Sequence, residues 1–146
     1  MAVVKYIKLD EKAIVPTYGT EYAAGADLYA LLDEDITIKP SETVMIHTGI
    51  AMQIPEGTAA FIFARSGIAT KRGLAPANKV GVIDSDYRGE IMVPIHNHTN
   101  TEQQIAGGER IAQMVIMPYI KAEFLESDTL DQTDRAQKGF GSTGVK

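Results

Sequence analysis

The residues best suited to chemistry lie in Gly81-Val-Ile-Asp-Ser-Asp-Tyr-Arg-Gly-Glu90, where strand-like apolar residues flank a polar turn. The segment reads as a β-hairpin with Asp84 and Asp86 near its tip, and residues i and i+2 of a strand face one side. Two close carboxylates suit general-base chemistry or metal binding. Taken alone, the pair reads first as a turn, because aspartate favours turns for local reasons.

The C-terminal Gly139-Phe-Gly-Ser-Thr-Gly144 has the spacing G-x-G-x-x-G. A dinucleotide site needs a helix after that loop, and only two residues follow, so none is expected. Its glycines, with Ser142 and Thr143, can still cradle phosphate through backbone N–H groups and hydroxyls. Phe140 can stack on a base. By composition alone the stretch is a floppy tail.

Three more segments carry polar groups among small or apolar residues. Ala64-Arg-Ser-Gly-Ile-Ala69 ends an apolar run with Arg65 and Ser66, and a Ser before a short helix is an N-cap or an anion donor. Gly108-Glu-Arg-Ile-Ala-Gln113 sets Arg110 and Gln113 at the start of an apolar strand. Ala24-Gly-Ala-Asp-Leu28 sets Asp27 in a small-residue segment. Each alone reads as a solvated charge or a structural turn. His96 and His98 share a strand face, but two imidazoles without a third ligand make a weak metal signal. Surface or structural roles are expected for them and for His47.

The elements that must hold these residues are short strands. Apolar or alternating runs cover Val3–Leu9, Ile36–Ile38, Thr43–Ile46, Ile50–Ile54, Thr58–Phe63, Val80–Ile83, Ile91–Ile95 and Ile111–Met117, with Pro and Gly turns between them. Helical periodicity fits only Ser66–Lys71. An all-β sandwich or barrel-like domain follows. The 146 residues make about one domain. Its body spans 1–125, and residues 126–146 turn polar and glycine-rich, which reads as a mobile arm.

Composition narrows the function. There is no cysteine, which excludes disulfides, thiol nucleophiles and cysteine-bound zinc. No apolar run approaches the roughly 20 residues of a membrane helix, and no signal peptide is visible. A cytoplasmic protein with no membrane partner is expected. Net charge is 14 − 19 = −5, which argues against stable nucleic-acid binding by a basic surface. A polyanionic ligand would need local arginines or a metal ion.

In order, the five segments resemble the five motifs of the dUTPases, the deoxyuridine triphosphate nucleotidohydrolases, from Ala24 to Gly144. The third and fifth, GVIDSDYRGE and GFGSTG, are the specific ones. The resemblance implies a distorted jelly-roll or β-clip-like fold and a homotrimer. Each active site would draw on all three subunits, with the C-terminal arm closing over a neighbour's site. It implies Mg2+-assisted hydrolysis of dUTP to dUMP and pyrophosphate by water attack on the α-phosphorus. That reaction limits uracil incorporation into DNA and supplies dUMP.

By the same resemblance, Asp84 matches the general base. Tyr87 matches the ring beneath the deoxyribose, where a ribose 2′-OH would collide. Asn78 and the hairpin backbone around Val82 match the uracil site. Arg65, Ser66, Gly67 and Gln113 match phosphate contacts, and Asp27 matches an indirect support of the metal and phosphate site. Arg135, Ser142 and Thr143 match γ-phosphate contacts, and Phe140 with Gly141 matches the stacking lid. Mg2+ would be held mainly by phosphates and waters. Arg110 is either a local positive charge for the ligand or a structural partner of an acid.

The fifth motif departs from the usual Arg-Gly-x-Gly-Gly-Phe-Gly at Ala136 and Lys138. Any positive φ there becomes costlier, and Lys138 offers a compensating phosphate contact. Three other readings compete. A dCTP deaminase shares the architecture but needs a glutamate within the stretch occupied here by Ile91-Met-Val-Pro-Ile95. A broader nucleotide pyrophosphatase would accept ribonucleotides. A regulatory protein, particularly a phage-encoded one, would act through a protein partner.

Overall fold

The apolar alternation is carried out as strands in a computed structural model that describes residues 3–133 and 136. In chain order the elements are β1 (Lys5–Lys8), β2 (Thr17–Tyr18), β3 (Ala26–Tyr29), β4 (Ile36–Ile38), β5 (Thr43–Gln53), β6 (Thr58–Phe63), α1 (Ser66–Arg72), β7 (Leu74–Pro76), β8 (Gly81–Ile83), β9 (Glu90–Asn97), β10 (Gln103–Ile105) and β11 (Arg110–Pro118). One sheet has the order β1-β5-β9-β7, a second β2-β3-β11-β6-β8, and β10 pairs with β4. Every pairing is antiparallel. This is the expected all-β jelly roll, with its one described helix where the sequence placed it.

Strand β9 shows why the fold forms. Ile91, Val93 and Ile95 are buried while Met92 between them is exposed. They join Leu28 of β3, Ile46 and Ile50 of β5, Ile62 of β6 and Ile111 of β11 in one core cluster drawn from both large sheets. Each such side chain contributes about 1.5–3 kcal/mol on burial. Asn97 ends β9 fully buried, its amide donating to Ile38 O at 2.9 Å and Thr101 O at 2.8 Å. Its Oδ1 accepts from the Thr99 N–H and hydroxyl, so the burial leaves nothing unpaired.

Three expectations change. The runs Thr43–Ile46 and Ile50–Ile54 are one strand, because the polar break between them is a bulge. Register with β9 shifts between His47 and Ala51, where Glu90 lies opposite Ala51 and Met92 opposite His47. Second, Gly81–Glu90 is not a paired hairpin. β8 pairs with β6, whereas β9 pairs with β5 and β7, so the segment crosses between sheets. Asp84 and Asp86 therefore occupy a turn, closed by Tyr87 N–H to Asp84 O at 3.2 Å, and not one strand face. Third, β2, β3, β7 and β10 add to the expected strands; each has two to four residues.

The bulge is tightly built. Thr48 Oγ1 donates to Ile91 O at 2.6 Å, and Leu9 N–H donates to Gly49 O at 2.8 Å. Gly49 has φ +67°, and a Cβ there would sit 2.7 Å from Leu31 Cδ2 and 2.8 Å from Ala13 Cβ. Gly49→Ala is expected to destabilise the chain by about 2–4 kcal/mol, from left-handed strain plus overlap. Urea denaturation of the two proteins measures it.

Candidate active site

The ladder across β3, β11 and β6 gathers the first groove. Asp27 of β3 lies opposite Gln113 of β11, and Gln113 lies opposite Phe63 at the end of β6. Arg65 follows two residues on, still extended at φ −89°, ψ 132°. Its Nε donates to Asp27 Oδ1 at 2.6 Å, and Arg110 Nη1 donates to Asp27 Oδ2 at 3.2 Å. Both carboxylate oxygens are thus engaged by guanidinium groups. The trio, built around the buried Asp27, keeps one net positive charge facing an open groove of about 220 Å³, lined also by Ser66 and Gln113. Such a groove suits a phosphate-type anion, because fixed guanidinium N–H groups match its oxygens.

Gln113 is held by donation from Nε2 to Ala64 O at 2.9 Å. Its other face leaves no room at position 25, where a Cβ would lie 2.5 Å from Gln113 Oε1. Gly25 is therefore a residue of the site, marked in the sequence by nothing beyond its small neighbours. Ser66 is not the N-cap. Arg65 holds that position without a side-chain cap, and Ser66 is the first helical residue, on the groove wall. Gly67 borders the adjoining groove with Lys71, and nothing lies within 4 Å of a Cβ there. Arg110 pairs with Asp27, which answers the question its sequence position left open.

The second group surrounds β8. The Asn78 amide lies against Gly81, where a Cβ would approach Nδ2 to 3.3 Å. Val82 is 56% exposed, and Asp84 and Asp86 are exposed. Tyr87 donates its hydroxyl to Glu90 O at 2.9 Å, and its ring covers Gly89, where a Cβ would sit 2.4 Å from the hydroxyl oxygen. Gly89 and Glu90 join the site without having been singled out by their types; the signal available was their place in the same motif.

The two groups do not meet in one chain. Ile83 pairs with Ala60, so Asp84 comes beside the start of β6, while Arg65 leaves its end. Extended chain of roughly six residues separates the two levels, about 20 Å along the strand. Arg135, Phe140, Gly141, Ser142 and Thr143 lie outside the described residues.

The histidines have local partners. His96 and His98 are in T-shaped contact with ring centroids 4.4 Å apart, and His96 Nδ1 bonds Thr43 Oγ1 at 2.8 Å. Desolvation, then His96 and Lys79, hold the His98 pKa below its ordinary value. His47 pairs with Glu90. Among the described residues no group of three His, Asp or Glu stands together as a metal cage.

Fold and groove together define a class: antiparallel jelly rolls with a groove lined by fixed arginines. The chain belongs to the dUTPase family, whose model matches residues 11–144. It is 51% identical over 143 residues to a deoxyuridine 5′-triphosphate nucleotidohydrolase of Desulfitobacterium hafniense, covering 97% of this chain and 95% of that one. It is 49% identical to the Hydrogenobaculum enzyme of the same name, covering 95% and 96%. Among solved structures, the Staphylococcus bacteriophage 80alpha dUTPase with dUpNHpp superposes with TM-score 0.89 at 27% identity, covering 99% of this chain and 100% of that one. Phage dUTPases of that kind control transfer of virulence genes. A point mutant of the dUTPase from phage phi11 of S. aureus, with TM-score 0.78 at 25% identity and covering 88% and 98%, coordinates a structural Mg(II) ion.

Asp27→Asn leaves two guanidinium groups without their anion. It is expected to lower stability by about 1–3 kcal/mol, less than a fully buried pair because Arg110 is half exposed. Thermal unfolding checks this.

Proposed function

We propose that this enzyme hydrolyses dUTP to dUMP and pyrophosphate by water attack on the α-phosphorus. The observation that carries the reading is the fixed Asp27–Arg65–Arg110 arrangement, which presents positive charge where a triphosphate needs it. Phosphoryl transfer depends mainly on positioning and charge neutralisation. Arg65, Ser66, Gly67 and Gln113 take the phosphates. The exposed Asp84 carboxylate aims a water and accepts its proton. Tyr87 lies beneath the deoxyribose, where a ribose 2′-OH would strike the ring.

The uracil edge is read by Asn78 and the backbone around Val82. A donor to O4 and an acceptor for N3–H reject cytosine, which inverts the pattern and leaves buried groups unpaired. Removing dUTP limits uracil in DNA and supplies dUMP, in the cytoplasm where the nucleotide pool lies.

Mg2+ fits this chemistry as an ion carried by the phosphates. Both Asp27 oxygens are taken by arginines, which makes Asp27 an indirect support rather than a ligand. When bound, Mg2+ supplies neutralisation of phosphate charge. The separation of about 20 Å between Asp84 and Arg65 supports a homotrimer in which one subunit's Asp84 and Tyr87 face another's phosphate groove. Residues 126–146 then bring Arg135, Phe140, Gly141, Ser142 and Thr143 over a neighbour's site, and Lys138 adds a phosphate contact.

Pyrophosphate release from dUTP, dCTP, dTTP and UTP tests the activity. Asp84→Asn is expected to slow dUTP turnover about 10²–10⁴-fold with little change in KM. Ammonia release from dCTP, or full turnover by the variant, overturns the reading. Assembly has its own check. Asp84→Asn and Arg65→Ala chains, unfolded and refolded together, are expected to regain roughly a quarter of wild-type activity if sites are shared between copies. A mixture as inactive as its components overturns the shared site.

A further inference from the structure

Three constraints meet at Glu90, the first residue of β9. Its carboxylate is 20% exposed. Oε1 accepts the Gly49 N–H at 2.8 Å, and Oε2 contacts His47 Nδ1 at 2.8 Å. Both partners belong to the β5 bulge, whose Thr48 hydroxyl also holds the next residue of β9 through Ile91 O. The Glu90 main chain is thereby fixed to the most constrained part of β5. Its carbonyl in turn accepts the Tyr87 hydroxyl at 2.9 Å, and the Tyr87 ring lies over Gly89. Asp10 and Asp33 line the same pocket, with Asp33 engaged by Lys12 and Asp10 Oδ1 by the Lys12 N–H. Neither is hydrogen-bonded to Glu90.

We propose that Glu90 is a positioning residue that sets the Tyr87 ring and, through it, the choice of deoxyribose over ribose. The inference rests on the reading that Tyr87 lies beneath the sugar. A ring that rejects one hydroxyl by contact must be held to within about 0.5 Å. The hydroxyl bond to Glu90 O and the absent side chain at Gly89 are what hold it. The carboxylate contributes by fixing that carbonyl, without touching the nucleotide.

A residue that only stabilises the bulge would lower turnover of dUTP and UTP in step. A positioning residue changes their ratio. The test compares kcat/KM for dUTP and UTP in wild type, Glu90→Ala, Glu90→Gln, Tyr87→Phe, Tyr87→Ala and the double variant Glu90→Ala/Tyr87→Phe. Glu90→Ala is expected to narrow the preference for dUTP about tenfold. Glu90→Gln keeps an oxygen for Gly49 N–H and is expected to retain most of the preference. The double variant is expected to be little worse than either single one, because both cut one chain of contacts. Equal losses for both nucleotides in Glu90→Ala overturn the inference. If Tyr87→Ala keeps the preference, the sugar-platform reading itself fails. If Tyr87→Ala loses it and Glu90→Ala does not, only the positioning role fails. Should Glu90→Ala not fold, Tyr87→Phe cuts the last bond of the chain alone, and an unchanged ratio there overturns the inference equally.

Discussion

A single buried carboxylate sets the geometry of the arginine-lined groove. Asp27 stands between Arg65 and Arg110 and joins three segments that are far apart in sequence. A guanidinium on a long side chain is ordinarily a mobile charge with rotamer entropy to lose. Here two of them are already oriented before any ligand arrives, and their mutual repulsion is offset by the anion between them. The pairing also puts local positive charge on a chain of net charge −5. Local charge at the groove opposes the overall field, and Gln113, locked onto Ala64 O, adds a neutral wall.

The Tyr87 side depends on a different device. Turn residues between two sheets would ordinarily be loose. The Gly81–Glu90 segment is instead tied at its far end to an irregularity in β5. Bulges bend strands and re-aim side chains, and this one offers a free N–H at Gly49 and an imidazole at His47 to one glutamate. The two devices lie toward opposite ends of β6 within one chain.

How far the sequence reveals this depends on the kind of interaction. Strands with clear alternation, such as Ile91–Ile95, are readable because the period of two encodes the buried face directly. β3 is not, because Ala26, Asp27 and Leu28 are all buried and the alternation vanishes. β5 reads as two strands because a bulge places polar residues in its middle, where they mimic a loop. The turn at Asp84 mimics a hairpin because local composition does not say which sheet each flank joins. Residue types mark the candidate segments one by one, and only the order of all five makes them a site, because each alone reads as a turn or a solvated charge. The bond between Arg110 and Asp27 spans 83 positions, and no local rule reveals it.

Gly25 and Gln113 illustrate a consequence for how such a chain can drift. The space that position 25 lacks is filled by the Gln113 side chain, across the strand pair. A larger residue at 25 requires the Gln113 amide to move, which breaks its bond to Ala64 O, or a shorter residue at 113. Two positions that look independent along the chain are thus coupled by van der Waals exclusion across the strand pair.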